Sequence, residues 1–419
     1  MCKITKENDS LQRQTENKDE DSQKIQGNKN IPELRFPEFE GEWNKNTLNN
    51  LAKIQRGASP RPISSNRWYD NENKKVGWVR IGDVTNSSRY LYRTEDYFSE
   101  EGIKKSRFLP KGSLIMSICA TIGKPIITEI DTCIHDGFVG FSDLTNINKE
   151  FLYYILKNLE NKFISLSQTG SQANLNTNLI NKTKINMPSI KEQEKIANFL
   201  TCIDQKIELM EKTNKNYQRV LKYYIHKLLE IGDKEHNQLI QIKDCIIESK
   251  EKNLNGLNLP IISSTLDGIF LQSDYFDNDS VAIDVTKYKI IPRNYFTYRS
   301  MSDTGIFKFN IQNLYERALV SSAYPVFKVK SEINSDYFKY YLNYSNMMKK
   351  QLYINKEGGT RYALSISKFK KMNIILPSSK VQTKISNVIN SLNKKYEINN
   401  KKLHYLKQFK KGLLQKMFC

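Results

Sequence analysis

No apolar run in the 419 residues approaches the ~18 needed to span a bilayer. Residues 1–30 lack the apolar stretch of a secretory signal. Neither a membrane-spanning nor an exported chain is expected. The six cysteines, Cys2, Cys119, Cys133, Cys202, Cys245 and Cys419, form no C-x-x-C pair. That suits free thiols in a reducing cytoplasm and excludes a disulfide scaffold or zinc module. Cys133 and His135 offer two donors where zinc needs four, and read as strand residues packed in a core. Histidine is also scarce, at four residues too dispersed for a catalytic cluster. There is no G-x-G-x-x-G and no Asn-Pro-Pro-Tyr, and the one Gly-Lys pair, Gly123–Lys124, is followed by proline. Dinucleotide-binding, amino-methyltransferase and P-loop signatures are therefore missing.

Positive charge, by contrast, is plentiful: 65 Lys and Arg against 45 Asp and Glu give a net charge of +20. The expected reading is a polyanionic partner, with nucleic acid ahead of a membrane surface; the alternative is a Lys-rich composition that serves solubility. The 23 Tyr and 19 Phe argue for folded sheet structure and against a disordered basic tail. Residues 1–30 are polar with balanced charges and read as a disordered lead-in. The excess charge belongs to the remainder, which is long enough for two or three domains.

That remainder repeats at a shift of 189 residues. Gly170 falls on Gly359, Leu175 on Leu364, Ile185 on Ile374, Pro188 on Pro377, Gln193 on Gln382 and Ile196 on Ile385. Slightly different shifts pair "INKEFLYYIL" (147–156) with "INSDYFKYYL" (333–342), and "LPKGSL" (109–114) with "IPRNYF" (291–296). Between these anchors the halves diverge. Residues 76–143 and 259–330 carry short β-branched and aromatic runs separated by Gly, Asn and Asp, which suits sheet-rich domains. Residues 149–163 and 335–352 read as helices, each followed by a glycine turn and a short apolar strand.

Two long helices complete the pattern. No proline occurs from Ser189 to about Leu229, and Gly232 is expected to follow the helix end. Ser189 with Glu192, and Ser379 with Gln382, fit capping boxes. The apolar stripe Ile196, Leu200, Ile203, Ile207, Met210, Asn214, Tyr217, Leu221, Tyr224, Leu228 steps by four and three, the period of a coiled coil. A second stripe runs Ile385, Ile389, Leu392, Tyr396, Asn399, Leu403, Leu406, Lys410, Leu413, Met417. Overlapped antiparallel with Ile196 facing Met417, the stripes set Asn214 opposite Asn399, an amide pair expected to fix register at a cost in stability. The alternative is that each helix packs separately on its own domain.

The chain resembles the specificity subunit of a Type I restriction–modification system. The likeness rests on "PELRFPEFEGEW" (32–43), the two "P-S…Q-x-K-I" helix starts and the terminal "FKKGLLQKMF" (409–418). It implies an α+β protein with a pseudo-two-fold internal repeat: two α/β target recognition domains joined by two long helices that form an antiparallel coiled coil. The expected division is 1–30 lead-in, 31–188 first recognition domain, 189–230 central spacer, 231–377 second recognition domain and 378–419 C-terminal spacer. The resemblance further implies that each domain reads one half of an interrupted DNA site. Two modification subunits and the restriction subunits would dock and bring S-adenosylmethionine, ATP and Mg, with no cofactor or catalysis in this chain. An enzyme carrying its own specificity domains, or a structural coiled-coil scaffold, are the competing readings.

Base reading needs side chains that reach groove edges, whereas phosphate contacts need Lys or Arg. On the two glycine turns, Gln172 and Asn174 are types that pair with adenine, and Arg361, beside Tyr362, suits guanine. Arg80, Lys104, Lys105 and Arg107 in the first half, and Arg293, Arg299, Lys308 and Arg317 in the second, are candidate phosphate ligands.

Overall fold

The structure is a computed structural model that describes residues 30–167, 175–235, 239–275, 284–359 and 361–419. All but the last residue of the expected 1–30 lead-in lies outside the described residues. The chain forms two compact units, Met1–Leu209 with His404–Cys419, and Met210–Leu403. The division runs through both long helices. Each helix segment shares the core of the unit to which it belongs.

The first unit is layered. A five-stranded sheet has the order Lys53–Arg56, Phe138–Ser142, Leu114–Ser117, Pro125–Thr128, Tyr90–Leu91. Its side chains alternate between two cores. Leu114, Met116, Ile127, Val139 and Phe141 pack with the helices, whereas Ile115, Ile126 and Phe138 pack with Val79, Leu109 and Ile134. Those last three belong to a four-stranded sheet ordered Asp96–Phe98, Val76–Val79, Thr132–Ile134, Arg107–Leu109. A sheet covered on both faces explains why these strands read as continuous apolar runs and not as alternating ones.

The second unit repeats the frame. Leu239–Gln241 pairs with Asn373–Ile375 as Asn44–Thr47 pairs with Lys184–Met187. Ile246–Ser249, Val326–Val329, Phe296–Thr297 and Asn310–Ile311 follow in the order of the first four strands of the five-stranded sheet. Lys289–Pro292 pairs with Arg317–Val320 as Arg107–Leu109 pairs with Thr132–Ile134. Each predicted single helix is broken in two: Lys149–Asn158 and Glu160–Ser167, then Ser335–Tyr344 and Asn346–Asn355. In the second unit Ser345 restarts the helix by capping the Met348 amide. Short helices, Thr177–Asn181 and Ile366–Lys371, lie between each glycine turn and its strand.

The long helices span Ile190–Glu235 and Ser379–Lys416, each roughly 60–70 Å at 1.5 Å per residue. Gly232 does not end the first. The helix passes through it, and a Cβ there would meet the Tyr337 hydroxyl at 3.1 Å and Ile385 Cδ1 at 3.2 Å. The first stripe also drifts near its end: Tyr224 is exposed, and Ile225 and Leu229 are buried in its place. A straight helix of 3.6 residues per turn slips against a 3.5 repeat.

In the first unit Ile196, Leu200 and Ile203 share a core with Leu413 and Met417. In the second, Leu221 does so with Ile385 and Ile389, and Tyr217 stacks on Tyr396 at 6.0 Å. Asn214 is buried and donates to Asn400 Oδ1 at 2.9 Å, so its partner is not Asn399, which is half-buried on the seam. The amide reaches past the seam to the flank of the opposing helix, one residue further along.

The helix starts differ from the expected capping boxes. Gln193 and Gln382 are 1% and 3% exposed. Gln193 accepts from the Asn148 amide at 2.9 Å and donates to the Pro188 carbonyl at 3.0 Å. Gln382 accepts from the Asn334 amide at 2.9 Å and donates to the Pro377 carbonyl at 2.8 Å. Asn148 and Asn334 are themselves the N-caps of the first packing helix in each unit. Gln382 is therefore a clasp and not the reciprocal half of a box with Ser379, and the equivalent caps are Ser189 and Ser378. Glu192 is drawn away to Arg35, at 2.7 Å from both Nε and Nη2, and accepts from Trp43 Nε1 at 3.3 Å.

Replacing Gln193 or Gln382 by leucine leaves a buried amide N–H and a carbonyl unpaired. Each change should cost about 1–3 kcal/mol and lower the thermal midpoint of its own unit by several degrees. Asn214→Leu should act the other way, raising the midpoint while producing extra oligomeric species in size-exclusion chromatography. Burial pushes the Asp233 carboxyl from 3.8 up to about 6. The folded state thus holds this proton to higher pH than the unfolded state, and stability falls as pH rises between those values. Asp233→Asn should raise the midpoint at about pH 7.5 and give no gain near pH 4.

Candidate nucleic-acid interface

In both units the residue after the glycine turn docks on the loop that follows the strand at 114–117 or its counterpart at 296–297. Leu175 donates its amide to the Ile118 carbonyl at 2.9 Å, and Leu364 to that of Ser300 at 2.8 Å. The frame therefore delivers the end of each turn to the same place. Gln172 and Asn174 lie outside the described residues.

The first unit's face is organised around Asp136. Loop 57–59 is laid across two strand ends by the amides of Gly57, to the Phe138 carbonyl at 2.9 Å, and Ala58, to that of Ile134 at 3.1 Å. Ser59 Oγ donates to Asp136 Oδ1 at 3.1 Å, Arg61 Nη2 lies 3.7 Å from Oδ2, and Arg56 Nε donates to the Asp136 carbonyl at 2.6 Å. His135 Nδ1 accepts the Gly137 amide at 2.9 Å, which places the proton on Nε2, 3.0 Å from Asp136 Oδ1. Burial lowers the His135 pKa; Asp136 raises it, and Arg61, Arg80 and Arg56 lower it further. A neutral imidazole follows at neutral pH. Cys133 is buried in its strand with its thiol pushed up to about 12, but His135 stands past the strand end, half-exposed, and not in a core.

Arg80 is close by in the same face, bonded to Asp96 at 2.7 Å and to the Tyr69 hydroxyl at 3.3 Å, beside a groove of about 770 Å³ lined also by Ile63. Lys104, Lys105 and Arg107 sit at the end of helix Glu100–Lys104 and on the outer strand of the four-stranded sheet. They are exposed, and among the described residues no carboxylate pairs with them.

In the second unit the equivalent face holds Arg299, Asp303 and Arg361. Tyr362–Ala363 pairs with Met301–Ser302 and so carries Arg361 to the loop, where its Nε lies 3.1 Å from Asp303 Oδ1. Arg299 Nη2 lies 3.9 Å from Oδ2 of the same carboxylate. A cavity of about 320 Å³ beside them is lined by Ser263, Ser264, Asp267 and Lys308. Burial lowers the Lys308 pKa, and its ammonium lies 4.8 Å from the Tyr344 ring centre. Tyr362 is half-buried under Lys356, whose Nζ is 4.0 Å from its ring centre. Arg293 and Arg317 are not brought to this face's ion pairs. They are held by Glu316 and Glu251, each at 2.6 Å.

Sequence reasoning missed Arg56, Arg61, His135 and Asp136. The signal was present for the first two in the Gly-, Pro- and Ser-rich run "RGASPRPISSNR" (56–67), in which Arg56 ends a strand and Arg61 lies on the loop after it. Chemically, both faces present arginine donors, which can meet phosphate oxygens and the acceptor edge of guanine. Among the described residues no three His, Cys, Asp or Glu side chains are placed to hold a metal ion.

The model of the Type I restriction modification DNA specificity domain matches twice, over residues 40–217 and 230–408. The Type I restriction enzyme MjaIX specificity subunit of Methanocaldococcus jannaschii is 21% identical over 413 residues, covering 90% of this chain and 92% of that protein. The EcoR124I/EcoR124II specificity subunit of Escherichia coli is 22% identical over 207 residues, 45% of this chain and 50% of that one. The crystal structure of the Type I system S subunit from M. genitalium shares the fold with a TM-score of 0.59 at 15% identity, covering 93% of this chain and 99% of that chain. A structure described as the basis of complex assembly and conformational transition of the type I R-M system gives 0.53 at 13% identity, over 90% and 97%. With the family model matched across both halves, the chain belongs to the Type I restriction–modification DNA specificity family, as a specificity subunit with two recognition domains.

Proposed function

We propose that each unit reads one half of an interrupted DNA site through the loop face described above. The observation that carries this reading is the duplicated frame: the docking of Leu175 and Leu364 is the same, whereas the side chains around it differ. Two different half-sites are the natural product of one frame bearing two sets of contacts. Among the sequence candidates, Arg80 in the first unit, and Arg299, Arg361 and Tyr362 in the second, lie on these faces. Lys104, Lys105 and Arg107 serve as phosphate ligands. Gln172 and Asn174 remain candidates for adenine, and Arg293 and Arg317, paired with Glu316 and Glu251, remain candidates for phosphate.

The remaining chemistry is assigned to partners. Two modification subunits, and restriction subunits in turn, bring S-adenosylmethionine, ATP and Mg, and this chain binds without catalysing, in the cytoplasm. Exposed apolar side chains on the long helices support docking there: Leu209, Tyr405 and Phe409 in the first unit, and Val220, Tyr223 and Tyr224 in the second.

Co-expression with the modification subunit and mapping of methylated adenines should return a bipartite motif. A contiguous motif, or none, would overturn the reading. Arg361→Ala should relax one half of that motif roughly tenfold or more and leave the other half unchanged; a uniform loss would make it a phosphate contact. Lowering salt should tighten binding steeply, because Lys and Arg contacts release counterions.

A further inference from the structure

We infer that the second unit reads a thymine methyl group with the exposed side chains of Leu266, Met301 and Ile306, and so meets its half-site from the major groove of double-stranded DNA. The inference rests on the proposal that this face reads DNA, and goes beyond it by naming a base, the groove and the residues that select it.

The cavity of about 320 Å³ described above has these three apolar side chains in its lining, together with Arg299 and Lys308. Leu266 is 52% exposed, Met301 40% and Ile306 59%. A single exposed apolar residue is ordinary on a protein surface. Three around one cavity are not accounted for by the unit's own packing, since none of them belongs to its hydrophobic clusters. The patch also borders the glycine turn, because Met301–Ser302 pairs with Tyr362–Ala363.

The patch is held in place before any DNA arrives. Leu266 sits at the tip of the hairpin formed by Ile262–Ser264 and Ile269–Leu271. Thr265 closes that tip with its amide to the Gly268 carbonyl at 2.8 Å, and its hydroxyl accepts from the Asp267 amide at 3.1 Å. Asn310, 8% exposed, donates to Ser264 Oγ and to the Thr265 carbonyl, each at 2.9 Å. A buried amide that ties down a hairpin tip leaves the leucine on it little freedom to lose on binding.

Base edges present hydrogen-bond donors, acceptors and one apolar group, the C5-methyl of thymine, which lies in the major groove. A donor or acceptor set against the patch would lose its water without replacement. The methyl loses nothing, and the neighbouring cations suit the adjacent phosphates. In the lining of the first unit's groove the one aliphatic side chain is Ile63, which is half-buried. The methyl contact is therefore assigned to the second unit.

The test uses the full chain co-expressed with its modification subunit, on duplexes carrying the mapped site. Each thymine in turn is replaced by deoxyuridine, which lacks only the methyl. With the unchanged protein, one or two replacements should weaken binding roughly three- to tenfold, all within one half-site. Leu266→Ala and Ile306→Ala should weaken binding to the thymine duplex and remove the difference between thymine and deoxyuridine at those positions. Leu266→Met, which keeps an apolar side chain, should retain most of that difference. A difference that persists in Leu266→Ala would place the methyl contact on the modification subunit. Equal losses on thymine and deoxyuridine duplexes would make Leu266 a contact to sugar or stacked bases. Either result overturns the assignment, as does the absence of any deoxyuridine effect. A bipartite motif with one of these results refutes the inference alone, whereas a missing bipartite motif refutes the reading beneath it.

Discussion

A buried glutamine holds each half of this protein together. Gln193 and Gln382 sit one turn into the two long helices, almost without solvent contact. Each uses both ends of its amide, accepting from the N-cap amide of the first packing helix and donating to the proline carbonyl before its own helix. An amide buried this deeply is stable only while both bonds are made. The clasp therefore fixes three segments at once: the strand ending at the proline, the spacer helix and the helix that covers the sheet. Everything that reaches the loop face is carried by that arrangement.

The two halves show how one frame supports two chemistries. Near the spacer helix in the first unit, Arg89 is buried against Glu150, Tyr154, Thr201 and Asp204, and Lys410 pairs with Asp204. In the second, the matching helices set an amide and a phenol against a carboxylate, with Asn390 donating to Asp336 at 2.7 Å and accepting from the Tyr340 hydroxyl at 2.6 Å. The backbone geometry is kept while the polar partners are rewritten. The loop faces follow the same logic, with Arg56 donating to a main-chain carbonyl and Arg361 paired with a carboxylate.

Much of the frame was legible in the residues. The 189-residue echo located the helix starts, and the alternation of threes and fours located the seam, because both depend on local periodicity. What eluded the sequence depends on partners far along the chain. Glu192 has the spacing of a capping residue, but Arg35, 157 positions earlier, claims its carboxylate. His135 follows an apolar strand and looks like core until the loop at 57–61 is laid beside it. Asn214 was rightly singled out on the seam, yet its partner is Asn400, since an amide reaches sideways in a way that stripe counting ignores. Arg293 and Arg361 look alike in sequence, and only the carboxylates facing them tell them apart.

The central claim is that two separate faces, one per unit, contact DNA. Hydroxyl-radical footprinting of the complex with its modification subunit, on a duplex containing the recognised site, tests it most directly. Two protected segments flanking a less protected interval are predicted, with Arg56→Lys and Arg361→Ala each weakening a different segment. A single continuous footprint that both variants weaken alike would contradict the account.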